Sequence, residues 1–150
     1  MTSHGQGGQE LEDVRVPVRI KLSALWASVM FCYIYGDYFG LYQPGSLQHM
    51  LEGRMGPLGA TTQGILVGTS LMMAIPSVMV FLSLALPPGP CRWANVILGV
   101  LYSAIIVATA RGAWAFYVML GVIEVTMTGL VAWYAWRWPR GAVALPPQAG

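Results

Sequence analysis

Two carboxyl groups stand inside long apolar runs of this chain, Glu124 in the last run and Asp37 in the first. An acid placed in hydrocarbon is costly, usually faces a protein interior or a wet cavity, and marks places where protons or substrates are handled. Kept dry, it stays protonated and can act as a general acid. Tyr33 precedes Asp37 by one helical turn, Tyr117 precedes Glu124 by two, and Tyr102 and Ser70 lie in the two middle runs. These residue types suit acid–base chemistry on a lipophilic small molecule, such as isomerisation, cyclisation or epoxide opening. Glu124 would be the catalytic general acid and Asp37 the second catalytic carboxylate. Tyr102, Tyr117, Tyr33 and Ser70 would bind the substrate, a phenol ring also steadying positive charge.

A plainer reading exists for each acid. Asp37 could pair with Arg54 or Arg111 at the membrane edge and hold a loop. Glu124 could bond Tyr102 or Ser70 and join helices, but such bonds are worth only about 0.6–2 kcal/mol in membranes. That is a weak reason to keep an acid at the midplane.

Other chemistries lack their residues. His4 and His49 both lie outside the apolar runs, so no pair of axial haem ligands is available. No His/Cys/Asp/Glu cluster has metal spacing, no glycine loop could cradle phosphate, and Cys32 and Cys91 form no redox pair. No cofactor or metal is therefore expected. A net charge of +2 is no nucleic-acid signature.

The elements that must position these groups are membrane helices. Hydrophobic residues make up 56% of the 150 and charged ones 9%, against roughly 25% charged in soluble domains. Four runs, 22–42, 62–86, 93–110 and 113–138, are long enough to cross a hydrocarbon core that needs about 20 helical residues. Short Pro/Gly-rich connections make successive helices antiparallel neighbours. The expected fold is all-α, a polytopic antiparallel four-helix transmembrane bundle. A short amphipathic helix is expected in the first outer loop, 43–61, with Ser46 as its N-cap and Gly53 as its stop. Residues 1–21 and 139–150 read as flexible tails, and Cys91 as part of a loop.

Lys and Arg set the orientation. Arg15, Arg19, Lys21, Arg92, Arg137 and Arg140 fall on one side, Arg54 and Arg111 on the other. The positive-inside rule then puts both termini in the cytoplasm, in a multi-pass protein of the cell inner membrane.

Helical spacing gives each span a polar face. These are Trp26, Met30, Tyr33, Asp37 and Gly40; Gln63, Val67, Ser70, Ala74 and Ser77; Asn95, Gly99, Tyr102, Ile106 and Thr109; and Tyr117, Gly121, Glu124 and Thr128. Glu124 comes about 16 Å into its run, near the midplane, and Asp37 about 8 Å from the outer end. An outward-facing pocket with Glu124 at its floor follows. Gly36/Gly40, Gly64/Gly68 and Ala104/Ala108 are expected to let helices approach closely. Pro76 should free a carbonyl near the pocket.

The segments Tyr35-Gly36-Asp37-Tyr38-Phe39-Gly40-Leu41 with Pro44-Gly45, Arg92-Trp93-Ala94-Asn95, Ile123-Glu124-Val125 and Trp133-Tyr134-Ala135-Trp136 resemble small four-span bacterial membrane proteins of DoxX-like type. The resemblance covers about 22–138 and implies the four-span fold. Better-known DoxX-type proteins are associated with membrane redox complexes, so it also implies a non-catalytic accessory or assembly role. Expected partners are the bilayer, a lipophilic small molecule, and a second copy or another membrane protein.

Overall fold

The computed structural model describes residues 15–139; most of both expected tails, and Arg140, lie outside the described residues. Four long helices account for the architecture: α1 Val18–Gly40, α3 Gln63–Ala85, α4 Pro88–Thr109 and α5 Ala115–Trp136, with a short α2, Ser46–Leu51, between the first two. At 1.5 Å per residue each long helix measures about 33–35 Å, enough to cross a core about 30 Å thick. All four are apolar enough to do so. Phe31, Phe81, Ile97 and Val122 point outward, as side chains facing lipid must. The chain is a multi-pass membrane protein.

The helices run up and down in a ring. α1 packs against α3 and α5, and α4 packs closely on α5 but only lightly on α3. The tightest approach is at Gly99, where a Cβ would lie 2.8 Å from the Thr128 carbonyl oxygen and 3.0 Å from the Ala132 nitrogen. Gly40 and Gly68 have open space where a Cβ would be, and Gly64 meets only its own cap residue. The tightest contact is thus made by a lone glycine, and of the expected glycine pairs only Gly36 meets a neighbouring helix, its Cβ position lying 3.7 Å from Leu120.

α4 starts earlier than its apolar run. Pro88 occupies the first helical positions, where a missing N–H costs nothing and its fixed φ suits the helix. Pro87, with ψ 152°, supplies the extended residue before it. Cys91 therefore lies in the first turn, fully buried, and not in a loop. In the other connection, Gly45 at φ 84° caps α2 without a side-chain bond and Ser46 is already helical. Gly53, at φ 69°, ends that helix as expected.

The chain ends leave the bundle where α1 begins and α5 finishes; this is the tail end, and the opposite one is the loop end. Cations at the tail end sit on aromatic rings: Arg19 5.9 Å from Trp138, Lys21 5.3 Å from Tyr134, Arg137 4.1 Å from Trp133, and Arg92 beside both Trp93 and Trp136. Arg19 also donates to Leu84 O and Arg92 to Trp136 O. Those carbonyls belong to the last turns of α3 and α5, which have no helical donors of their own.

Just inside this end lies a dry core of Leu22, Trp26, Met79, Tyr102, Val131 and Ala135. The fully buried Asn95 is satisfied within it. Its Oδ1 accepts from Trp26 Nε1 at 2.7 Å and Ser83 Oγ at 3.3 Å, and its amide donates to Cys91 O at 2.8 Å. This knot ties α1, α3 and α4 together.

Candidate functional site

The loop-end half of the bundle is built differently. On α5, Tyr117, Leu120, Gly121 and Glu124 share one helical face, and Gly121 lets Ile106 of α4 approach to 3.4 Å of where its Cβ would be. On α1, Tyr33 and Asp37 are one turn apart, and the buried Gly36 leaves room for Leu120. α4 contributes Tyr102, Ile105, Ile106 and Thr109, and α3 contributes Met72 and Met73. Together they enclose a cavity of about 80 Å³. A whole drug-sized ligand needs roughly 300–1,000 Å³. The cavity fits a few waters or one small chemical group.

Glu124 comes nine residues after the start of a 22-residue helix, near its middle. Only 7% of the residue is exposed. Its carboxyl has no hydrogen-bond or ion-pair partner among the described residues; only its backbone carbonyl is engaged, by Thr128 Oγ1 at 2.8 Å. Neither expected partner reaches it, Ser70 being exposed on α3. Tyr102 donates its hydroxyl to Met72 O, the carbonyl that Pro76, four residues on, leaves without its helical N–H. The carbonyl freed by the proline is thus taken by the phenol and is not open to a ligand.

Asp37 lies in the last turn of α1, exposed at the mouth. It makes no ion pair among the described residues, and Arg54 lies 4.0 Å from Glu52 instead. The loop-fixing pair expected of Asp37 is not formed. A carboxylate in a last turn faces the negative end of its own helix, a cost of about 0.3–1 kcal/mol.

Five of the six expected residues, Tyr33, Asp37, Tyr102, Tyr117 and Glu124, line this one cavity. Ser70 does not. It is exposed on α3, as are Gln63, Val67, Ala74 and Ser77, although Ser77 still reaches Met30 Sδ of α1 at 3.5 Å. The buried face of α3 runs instead through Met72, Pro76, Met79 and Ser83. Helical hydroxyls explain the difference, because they can satisfy themselves on the preceding turn. Ser77 bonds Met73 O at 2.9 Å, and Thr126 on α5 bonds Val122 O at 2.8 Å while also facing outward. The signal for Met72 and Met73 was Pro76 itself, one turn from Met72 and on the same face.

A second hollow, about 380 Å³ and almost wholly apolar, opens at the loop end between α1 and α5, among Phe39, Tyr42, Trp114, Phe116 and Met119. Leu120 forms part of both walls. Among the described residues no three His, Cys, Asp or Glu side chains gather to hold a metal.

No curated protein and no solved structure matches the chain. A family model described as a family of unknown function (DUF6326) matches residues 13–145. A DoxX-type relationship gains no support from that match. With nearly its whole length matched, and both carboxyls inside the matched region, the chain belongs to the family of unknown function DUF6326.

Proposed function

We propose that this protein carries out acid–base chemistry on a lipophilic small molecule, with Glu124 as general acid and Asp37 as second carboxylate. The observation that carries the reading is Glu124, a residue nine-tenths buried at mid-helix, whose carboxyl has no partner among the described residues and lines a cavity. Bonding to a neighbour would account for its position structurally, and that bond is not made. Tyr33 and Tyr117 would orient the reacting group, while Tyr102 holds α3 in place. The cavity admits only the reacting part of the molecule, and the apolar remainder would lie in the hollow beyond Leu120. The tail end carries Arg15, Arg19, Lys21, Arg92 and Arg137, which favours an inner-membrane protein with cytoplasmic termini and a pocket opening outward.

The test compares lipid extracts, by mass spectrometry, from cells carrying the wild type, a deletion and Glu124→Gln. Glu124→Gln should accumulate to normal levels and reproduce the deletion's extract, since a general acid's removal costs about 10²–10⁴ in rate. An extract identical to wild type would sink the reading.

One observation favours a second reading, a non-catalytic accessory or assembly subunit. The outward face of α3 carries Gly64, Gly68 and Ser70 with room for another helix, from a second copy or a membrane partner. Under that reading Glu124→Gln is silent and Gly68→Leu abolishes co-purification of the partner.

A further inference from the structure

We infer that the group held between Glu124 and Asp37 is a cation, and that the ligand is a lipophilic amine whose protonated nitrogen enters the cavity. The inference rests on the cavity being the working site, and narrows what it takes. Two acids line the space, while no Lys, Arg or His does. Glu124 is nine-tenths buried, its carboxyl has no partner among the described residues, and as a carboxylate it would lack the counter-charge that burial requires. Asp37 sits at the negative end of its helix, where an approaching cation is favoured. The rings of Tyr33, Tyr102 and Tyr117 complete the walls, and aromatic faces attract desolvated ammonium groups.

Size agrees with charge. A volume of about 80 Å³ suits an ammonium head. Beyond Leu120 the larger hollow, lined by Phe39, Trp114, Phe116 and Met119, suits an alkyl or aryl tail. A neutral ligand would leave Asp37, at the mouth, without a counter-charge.

Pairing requires a deprotonated carboxyl, so amine binding displaces a proton and strengthens as pH rises, as long as the amine stays protonated. Glu124 then regains the proton it gives as general acid from the bound ammonium itself. The groups facing Glu124 are Tyr33, Asp37 and nearby Cys32 from α1, Tyr102 from α4 and Tyr117 from its own helix; α3 presents only Met72 and Met73. None of them supplies a positive charge.

The probe is octylamine, with octanol as its neutral counterpart, titrated calorimetrically into the full chain in nanodiscs of zwitterionic lipid. Octylamine should bind at least about tenfold more tightly than octanol near pH 8 and weaken toward about pH 5.5, releasing a proton into weak buffer. Glu124→Gln, checked for folding by circular dichroism, should lose about tenfold in affinity and all proton release, and Asp37→Asn roughly threefold. Ser70→Ala, on the outer face, should change nothing. Equal binding of the two probes by the wild type would overturn the inference without recourse to any variant. So would amine binding that releases no proton. If Glu124→Gln alters the lipid extract while octylamine fails to bind, only the cation is wrong. If octylamine binds as described and the extract is unchanged, the site binds amines and the acid–base reading falls.

Discussion

The two halves of the bundle handle buried polar groups in opposite ways. In the tail half, Asn95 is fully buried and its amide is bonded to Trp26, Ser83 and Cys91 O. In the loop half, Glu124 is almost as deeply buried and its carboxyl is bonded to nothing in the described chain. Around Asn95 the helices close, with Gly99 bringing α5 against α4. Around Glu124 a cavity stays open among all four. A polar group that stabilises a fold is answered by its neighbours, while one kept for a ligand is left open at a cost in stability. The same four helices thus carry a fastening at one end and a receptacle at the other.

That contrast can be broken by experiment, reading stability from denaturant titration of helicity in mixed micelles. Trp26→Ala should do the most damage, about 3 kcal/mol, by emptying the core and leaving Asn95 short of a donor. Gly99→Ala comes next at about 2 kcal/mol, since the new methyl would meet backbone atoms that cannot move aside. Tyr102→Phe should cost about 1 kcal/mol by orphaning Met72 O. Pro76→Ala should recover most of that loss, because it returns an N–H to the same carbonyl. Last, Glu124→Leu should be neutral or stabilising by up to about 1 kcal/mol, as an unpartnered acid leaves the bilayer's centre. If instead it destabilised as much as Gly99→Ala, the two halves would not differ in the way described.

How much of this was legible depended on what each polar group can do for itself. Asn95, Tyr102 and Glu124 cannot complete their bonding within one turn of their own helix, so their spacing marked the buried faces of α4 and α5 correctly. Ser70 and Ser77 misled because small hydroxyls are tolerated on an exposed helix face, Ser77 bonding Met73 O and reaching Met30 Sδ from the edge of the buried stripe, which left the wrong face of α3 marked as interior. The Pro87–Pro90 stretch misled in another way. A proline that ends one helix is equally able to begin the next, so the turn was shorter and Cys91 deeper than the apolar run implied. The cavity was legible as a set of residues and not as a volume. Its small size comes from Leu120 and the two methionines, whose side chains carry no chemical label.

The arginine bonds at the tail end have a mechanical consequence. Arg19 and Arg92 each reach from one helix to the final turn of another, so the four rods are fastened in two pairs, α1 with α3 and α4 with α5, where the chain ends emerge. Rods clamped at one end act as levers: a tilt of about 5° there swings the far end of a 22-residue helix by about 3 Å. A displacement of that size is comparable to the width of a methylene chain. The aperture could therefore widen and narrow with its anchorage intact.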